Sequence, residues 1–446
     1  MKWIPSRFNA MAQTKQGELI LYNSYTGAIG AVAEGERAAV LEALKRTGID
    51  RELSPVEQTL VECGFLVAEN VDEKRRAQFL HQSLHRTDVM HLVILPTEAC
   101  NFRCVYCYQE FLRGQMKREV IDGLKRFLTK TIPRLTHLTV SWFGGEPLLA
   151  IDVIEEISTV IIEQTKRYGV AYQADMSTNG YGLSKETMRR LLRCEVTRFM
   201  VTLDGSKDVH DARRVLANRG PTYETILGHL RDIQTLDESF EVDIRVNFDE
   251  DNLDQIPLFL DELACYFAGD RRFQLFCRPV GRWGGANDER LPVCDHRTAE
   301  VKIWELTEYG IKKGLSMSSM VESMLMPSGA VCYAAKPHSF VIGADGQVYK
   351  CTCAFDEEYN RIGRLHADGT MDVDMDKLAL WVTSGEETDE QCQACFFRPA
   401  CQGNHCPLYR LRTGDRPCPH EKRKIKEVLL RLIDAQSFVR DEGKGR

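Results

Sequence analysis

Three cysteines with the spacing C-x3-C-x2-C lie in the stretch ACNFRCVYCYQEF, at Cys100, Cys104 and Cys107. Three thiolates on so short a loop suit an iron–sulfur cluster, because a four-iron cluster bound by three cysteines keeps one iron open for another ligand. Zinc is the alternative, but a structural zinc ion takes four protein ligands, and residues 97–115 offer no obvious fourth. The spacing therefore predicts a cluster with one exchangeable position.

A second group of eight cysteines lies between Cys332 and Cys418, and the chain has 16 cysteines altogether. Proteins of the cytosol rarely use structural disulfides, so clustered thiols in such a chain indicate metal or iron–sulfur ligands. The remaining five cysteines are isolated, and we expect them to be small buried apolar residues. They are Cys63, Cys194, Cys265, Cys277 and Cys294.

The bulk composition indicates a soluble cytoplasmic protein with two or three domains. The chain has 446 residues, of which 43% are hydrophobic, and a net charge of −7. That charge favours neither a nucleic acid nor a membrane surface as partner. The N-terminus has no apolar signal segment, and no apolar run is as long as a membrane span.

Regular alternation of strands and helices begins at residue 91 and predicts a parallel α/β sheet, curled or open. The strand candidates are residues 91–96, 137–143, 172–178, 197–203, 240–248 and 272–280. The helix candidates between them are residues 116–130, 151–168, 184–194, 222–236 and 254–268. In such folds the loops after the strands carry the site. The three cysteines follow the first strand, and GGEP (144–147), STNG (177–180) and LDG (203–205) follow the next three.

The segments on either side of this sheet differ from it in pattern. Residues 1–90 predict a winged-helix-like module, with a strand in 17–27, helices in 34–48 and 54–64, a returning strand, and a linker or helix in 71–88. Residues 91–315 form the predicted sheet domain. Residues 316–420 have weaker periodicity and carry the second cysteine group, so metal clusters are expected to stabilise them. A helix at 421–440 and a polar tail to residue 446 end the chain.

With Tyr106 before its last cysteine, the C-x3-C-x2-C stretch resembles the hallmark of the radical S-adenosylmethionine (SAM) superfamily. The resemblance implies a partial (β/α)6 barrel and a [4Fe-4S] cluster on Cys100, Cys104 and Cys107 whose open iron binds SAM. It further implies that an electron from the cluster cleaves SAM to methionine and a 5′-deoxyadenosyl radical. The cluster and SAM then supply the difficult chemistry, while the protein orients them and excludes water.

The same resemblance assigns SAM contacts to the loops after the strands. Gly144 and Gly145 allow close backbone approach, and Glu146 is the expected acceptor for the amino group of SAM. The other residues assigned to the SAM pocket are Tyr106, Ser177, Asn179, Asp204 and Arg245. Ordinary loop capping and strand-end hydrogen bonding are the alternative roles for these polar residues.

The second cysteine group resembles the SPASM domain, which holds two auxiliary [4Fe-4S] clusters. By position, the resemblance assigns Cys332, Cys351 and Cys406 to the first auxiliary cluster. It assigns Cys392, Cys395, Cys401 and Cys418 to the second. The step from Cys401 to Cys406 is one residue longer than in the family, which makes Cys406 the least secure ligand. Cys353 is extra, and the sequence leaves open whether it completes the first cluster.

Within the superfamily, residues 1–90 are similar to the leader-binding element of thioether-forming ranthipeptide and sactipeptide maturases. The resemblance implies a radical SAM peptide maturase that joins a cysteine sulfur of a precursor peptide to a carbon. Its partners would be a cysteine-containing precursor, with its leader on residues 1–90, and a low-potential electron donor such as ferredoxin or flavodoxin.

Three alternatives remain open. Sulfatase-maturing relatives place an acidic base directly after the position of Cys351, where this chain has Thr352, and a hydroxyl is a poor base. Formylglycine-type maturation of a sulfatase is thus disfavoured but not excluded. Carbon–carbon crosslinking is the second alternative. A non-catalytic iron–sulfur or zinc scaffold is the third, and metal analysis would identify it.

Overall fold

The computed structural model describes residues 1–14, 17–45, 48–111, 113–383, 385–387 and 389–432. It divides into two compact units. The sheet unit comprises residues Thr87–Ser318 and His338–Ala379. The terminal unit combines Met1–Arg86 and Ser319–Pro337 with the C-terminal segment from Leu380. No helix of the described residues is long and apolar enough to cross a membrane.

An eleven-stranded sheet forms the frame of the sheet unit. Seven strands follow one another in chain order and all pair in parallel. They are Val89–Ile94, His137–Trp142, Ala171–Thr178, Val196–Thr202, Glu241–Phe248, Phe273–Pro279 and Ser316–Met317. The prediction of a parallel α/β sheet is confirmed, because alternating strand and helix patterns leave a parallel sheet as the simplest arrangement.

The first strand of this series also pairs in parallel with Ser339–Ile342. Three antiparallel strands then extend the sheet from that segment. They are Gln347–Tyr349, Arg361–Leu365 and Met371–Val373, and the helix Met375–Val382 follows them. Residues predicted to belong to the SPASM domain thus continue the sheet that begins at residue 89. The predicted domain boundaries, the barrel closure and the SPASM assignment stay predictions.

Helices connect the parallel strands, five of them at the predicted places, whereas Lys207–Arg213 and His296–Lys312 were not predicted. Their bounds are Arg118–Thr131, Ile151–Tyr168, Lys185–Arg193, Lys207–Arg213, Tyr223–Gln234, Ile256–Phe267 and His296–Lys312. The strand His137–Trp142 shows how the sequence places its two faces. Leu138, Val140 and Trp142 are fully buried on one face. On the other face Ser141 hydrogen-bonds both His91 Nε2 and Asp175 Oδ2, at 2.9 and 2.8 Å, so the opposite face is polar.

The terminal unit begins with a small antiparallel meander of Asn9–Gln13, Leu19–Asn23 and Ile29–Val32. A second sheet pairs Trp3–Pro5 with Leu66–Ala68. The helices are Arg37–Ala43, Pro55–Glu62, Glu73–Gln82, Ser319–Leu325, Glu390–Ala394, Arg398–Cys401, Pro407–Thr413 and His420–Arg423. Residues 425–432 are also helical, and the rest of the helix predicted at 421–440 lies outside the described residues.

The start of the helix Pro55–Glu62 illustrates how local sequence fixes an element. Ser54 accepts from the backbone N–H of Glu57, and the Glu57 carboxylate accepts from the N–H of Ser54, which forms a capping box. Arg51 donates to both oxygens of Glu57 at 2.8 and 2.7 Å. The winged-helix character of this module stays a prediction.

Candidate functional site

A cleft of about 1040 Å³ opens in the sheet unit where the parallel strands end. It brings together nine of the eleven residues predicted for the SAM cluster and the SAM pocket. These are Cys100, Cys104, Tyr106, Cys107, Gly144, Gly145, Ser177, Asn179 and Arg245. Glu146 and Asp204 do not line the cleft, and both are fully buried behind it.

The cysteine loop is fixed by segments distant in sequence. Its strand Phe102–Cys104 pairs antiparallel with Arg214–Leu216. On the other side, Asn179 Nδ2 donates to Asn101 Oδ1 at 2.8 Å. The Cys100 thiol itself accepts from the backbone N–H of Phe102 at 3.3 Å. These contacts hold the three cysteines at the mouth of the sheet.

Gly144 and Gly145 lie where no side chain fits. An ideal Cβ on Gly144 would meet the carbonyl oxygen of Thr97 at 2.2 Å, and one on Gly145 would meet that of Ala99 at 2.3 Å. Gly144 also has a φ of +128°, a region that L side chains rarely adopt. The two glycines thus let the second loop pack directly on the backbone that leads into Cys100.

The carboxylate of Glu146 organises the loops rather than facing the cleft. Its oxygens accept from Thr178 Oγ1 and the Asn179 N–H, each at 2.7 Å, and from the Leu148 N–H at 3.0 Å. Burial raises the pKa of Glu146, while these hydrogen bonds oppose the rise. The assignment of Glu146 to the amino group of SAM stays a prediction, and its described partners belong to the GGEP and STNG loops.

Tyr106 is the centre of a buried polar network under the cysteine loop. Its hydroxyl donates to Asp204 Oδ2 at 2.5 Å and accepts from Arg214 Nη1 at 2.7 Å and Asn247 Nδ2 at 3.0 Å. Next to it, Arg213 forms a bidentate pair with Asp249 at 3.0 and 2.6 Å. The structure thus gives Tyr106 and Asp204 partners that tie three strand ends to the cysteine loop.

Sequence reasoning missed Arg214, which lines the cleft beside Cys104. The stretch DARRV carries no motif, and only the pairing with Phe102–Cys104 brings this arginine to the site. Arg214 and Arg245 are both cleft residues. Among the described residues that line the cleft there is no Asp, Glu, His or Lys.

The three thiols fit a cluster better than a single ion. Burial raises the pKa of Cys100 to about 12 and that of Cys104 to about 11, so metal binding must displace protons from both. Zinc would hold its sulfurs at about 2.3 Å and so bring them close together. A structural zinc ion also takes a fourth protein ligand, and the described residues that line the cleft include no His, Asp or Glu to supply it. The donor set therefore favours a cluster with three cysteine ligands.

A second thiol-lined cavity, of about 320 Å³, lies within the terminal unit. It is lined by all four cysteines predicted for the second auxiliary cluster, Cys392, Cys395, Cys401 and Cys418. Arg410, Arg416 and Lys422 line the same cavity. Four thiols that line one cavity, with cations around them, fit the negative charge of a thiolate-ligated cluster.

The cysteines predicted for the first auxiliary cluster lie in both units. In the terminal unit, the Cys332 N–H donates to the carbonyl of Asn404, two residues before Cys406, at 2.9 Å. In the sheet unit, Asn360 Oδ1 accepts from the N–H groups of Lys350 and Cys351. The shared cluster on Cys332, Cys351 and Cys406 stays a prediction.

Cys353 lies close to the cleft-lining Tyr108 in the sheet unit. Its sulfur is 3.8 Å from the Tyr108 hydroxyl, and its N–H donates to the Cys351 sulfur at 3.3 Å. The expectation for the five isolated cysteines holds for Cys194 and Cys277, which are buried. It is wrong for Cys265, which is exposed on the helix Ile256–Phe267, whereas Cys63 and Cys294 are only half-buried.

Comparison with known proteins agrees with this geometry. Residues 94–263 match the model of the radical SAM superfamily. This part of the chain is therefore similar to radical SAM domains. It holds the cysteine loop, the two glycines and the strand ends described above.

Longer matches extend over most of the chain. The cysteine-type anaerobic sulfatase-maturating enzyme of Clostridium novyi (strain NT) is 23% identical over 70% of this chain and 87% of its own length. The serine-type enzyme of Klebsiella aerogenes is 25% identical over 79% of this chain and 87% of its own. The structure described as native anSMEcpe with bound AdoMet and Cp18Cys peptide matches with a TM-score of 0.57 and 17% identity. That match covers 78% of this chain and 99% of the other, and it shows a shared fold.

Proposed function

We propose that this protein is a radical SAM maturase that installs thioether crosslinks in a ribosomally made peptide. The observation that carries the proposal is the composition of the cleft. Three cysteines and two arginines line it, and no described lining residue is a carboxylate, histidine or lysine. Such a cleft suits radical chemistry that needs no protein base, because it lacks the carboxylate, imidazole and amine side chains that most often act as general bases.

The residues that would hold the cofactors follow from the cleft. Cys100, Cys104 and Cys107 would bind the [4Fe-4S] cluster, and Gly144 and Gly145 leave the backbone open to SAM. When bound, these groups supply a carbon radical that removes a hydrogen atom from the substrate. The protein itself would orient these groups and the substrate, and it would exclude water from the cleft.

Polar contacts to SAM would come from the strand ends and from the arginines. Ser177 and Asn179 reach the cleft from the end of one strand, and Arg245 from another. Arg214 and Arg245 are the described cleft cations that a carboxylate would pair with. Glu146 and the Tyr106 network hold these loops in position from behind.

Thioether formation balances without a protein base. One C–H bond of the acceptor and the S–H bond of the cysteine break, and one C–S bond forms. A hydrogen atom leaves with the cofactor-derived radical, and one proton and one electron remain. Solvent would take the proton, and an auxiliary cluster, held by the second cysteine group, would accept the electron.

The N-terminal module is the proposed docking site for the leader of the precursor. Its meander has two outer strands, Asn9–Gln13 and Ile29–Val32, and each pairs only with Leu19–Asn23 among the described residues. An open strand edge can accept an extended peptide as an additional strand. The proposal adds a low-potential ferredoxin or flavodoxin as electron donor and the cytoplasm as the location.

Formylglycine-type sulfatase maturation is the second candidate, because both sulfatase-maturating relatives match more than two thirds of the chain. The residue Thr352 disfavours sulfatase maturation. It stands directly after Cys351, where sulfatase-maturing enzymes place an acidic base, and no carboxylate, histidine or lysine is among the described residues that line the cleft. The two candidates leave different products on the substrate.

The deciding experiment is mass spectrometry of a cysteine-rich peptide encoded beside this gene and co-expressed anaerobically with the protein. Thioether formation predicts the loss of two hydrogens per modified cysteine, with those thiols no longer alkylatable. A hydrazide-reactive aldehyde in the product would instead establish formylglycine formation. An unmodified peptide, with SAM cleaved in its absence, would refute the peptide substrate but retain the radical chemistry.

A matched variant tests the cluster assignment itself. Cys104→Ala removes one predicted ligand, whereas Cys265→Ala removes an exposed thiol of the same unit. We expect 5′-deoxyadenosine from the Cys265→Ala protein and none from Cys104→Ala, with both folded. Deoxyadenosine from the Cys104→Ala protein would refute the assignment.

A further inference from the structure

The second thiol-lined cavity carries more positive charge than ligation alone requires. Arg410, Arg416 and Lys422 line it together with Cys392, Cys395, Cys401 and Cys418. Arg398 also lines it, but its guanidinium is bound to both oxygens of the buried Glu386 and is thereby neutralised. Arg410, Arg416 and Lys422 are therefore the cations that give the cavity its positive charge.

Two of these cations point at cysteine sulfurs. Arg410 Nη2 lies 3.6 Å from Cys392 Sγ, and Lys422 Nζ lies 3.7 Å from Cys418 Sγ. Cys395 differs, because its sulfur accepts from the backbone N–H of Phe397 at 3.4 Å. Cationic side chains thus supply the hydrogen-bond donor at Cys392 and Cys418, whereas the backbone supplies it at Cys395.

The surroundings of Cys418 explain why a side chain is needed there. Pro417 and Pro419 flank it, and proline has no N–H to donate. Lys422 lies four residues further on, in the short helix His420–Arg423 that begins just after Cys418. Its ammonium is thereby brought to the thiol of Cys418.

The positive charge of these three cations also exceeds the negative charge of Asp389, which pairs with two of them. Asp389 accepts from Arg410 at 3.2 Å and from Arg416 at 2.7 Å, so one negative charge is shared by two guanidinium groups. Lys422 adds a third positive charge, and the sum around the cavity is positive. Arg410 is mostly buried, with 14% of its side chain exposed, so solvent screens its charge little.

We propose that Arg410 and Lys422 are positioning residues that raise the reduction potential of an iron–sulfur cluster on Cys392, Cys395, Cys401 and Cys418. The proposal rests on the proposed function, which assigns a cluster to these thiols. Each electron added to a thiolate-ligated cluster makes it more negative, so hydrogen bonds and positive charges at its sulfurs stabilise the reduced form. A cluster tuned in this way is suited to take the electron that crosslinking releases.

The test is electron paramagnetic resonance of the full-length protein, reconstituted with iron and sulfide and poised at fixed potentials. Replacement of Cys100, Cys104 and Cys107 by alanine removes the predicted SAM cluster from the spectrum. The signal of interest is the one that Cys395→Ala abolishes. Iron content is measured on every sample.

Arg410→Gln and Lys422→Gln remove the two charges, and Arg410→Lys and Lys422→Arg retain them. Arg412→Gln is the control, because it removes a charge from an exposed residue of the same helix that does not line the cavity. We expect the ratio of reduced to oxidised cluster to fall about tenfold in the double Gln variant, which is about 59 mV for one electron. In the charge-retaining variants and in the control, this ratio should stay close to that of the parent protein.

Two results would overturn the inference in different ways. An unchanged ratio in the double Gln variant, at full iron content, would show that the cations do not tune the cluster, while the proposed function would stand. Equal iron content in the parent and in Cys395→Ala would show that no cluster binds here, and the assignment itself would fall. If the Arg410→Gln protein loses iron, the Lys422→Gln protein is measured instead, because Lys422 lies on a partly exposed helix. An unchanged ratio of reduced to oxidised cluster in that variant would then overturn the inference.

Discussion

Gly145→Ala is the sharpest test of how the glycine loop supports the cleft. The added Cβ would lie 2.3 Å from the carbonyl oxygen of Ala99 and 2.6 Å from that of Glu98. Both atoms are backbone and cannot rotate away. An ordinary contact would require a displacement of about 1 Å, and overpacking of this kind costs about 1–3 kcal/mol.

The displaced segment is the one that leads into Cys100. The Ala99 carbonyl also accepts from the Glu146 N–H at 2.9 Å, so the same shift breaks the link between the two loops. A misplacement of about 1 Å in a catalytic site costs about 100-fold in rate. We therefore expect Gly145→Ala to fold, bind iron and cleave SAM about 100-fold more slowly.

The assay is anaerobic formation of 5′-deoxyadenosine with a chemical reductant, together with iron content and thermal unfolding. Gly228→Ala is the matched control, because its Cβ would meet no atom within 4 Å. It lies inside the helix Tyr223–Gln234, where alanine stabilises by about 1 kcal/mol over glycine. Parent-like SAM cleavage by Gly145→Ala would refute the steric argument.

Two further predictions concern stability. Arg213→Ala leaves the buried Asp249 without its bidentate partner, and we expect a loss of about 3–5 kcal/mol in urea unfolding, against little effect of the surface variant Arg118→Ala. Equal effects of the two variants would contradict this. Burial raises the pKa of Asp175 to about 6, so the folded protein binds a proton that the unfolded chain has released, and stability falls as pH rises from about 4 to 6. Asp175→Asn keeps an acceptor for Ser141 and removes this loss. Its free energy of unfolding should therefore exceed that of the parent by about 2–3 kcal/mol above pH 6, and the difference should vanish below pH 4. A difference that does not depend on pH would contradict this prediction.

Local pattern was sufficient to predict the sheet. The strand Ala171–Thr178 and the helix Ile151–Tyr168 match their predicted ranges to within a residue, because apolar periodicity reports directly which side chains are buried. The outer strands Asn9–Gln13 and Ile29–Val32 were not predicted. Their residues are mostly exposed or half-buried, so their sequences carry little alternation.

The site was predictable only where a residue carries its own signal. The C-x3-C-x2-C spacing alone predicts Cys100, Cys104 and Cys107 as site residues. The network around Tyr106 does not, because the pairing that brings in Arg214 joins segments more than 100 residues apart in sequence. Likewise the sequence indicated a polar contact at Glu146, but only the packed loops show that its carboxylate is occupied by Thr178 and backbone N–H groups.

Both thiol-lined sites share a feature that the cysteine spacing does not encode. Arg214 lies beside Cys104 in one, and Arg410 donates toward Cys392 in the other. Arg214 comes from outside the C-x3-C-x2-C motif, and Arg410 occupies a position between Cys401 and Cys418 that the cysteine spacing leaves unspecified. A buried cluster with thiolate ligands adds negative charge to a medium that solvates it poorly, and buried charge is tolerated only when it is paired. Cysteine spacing therefore predicts a metal group, whereas the cations that lie beside the thiols are recognised only in the folded structure.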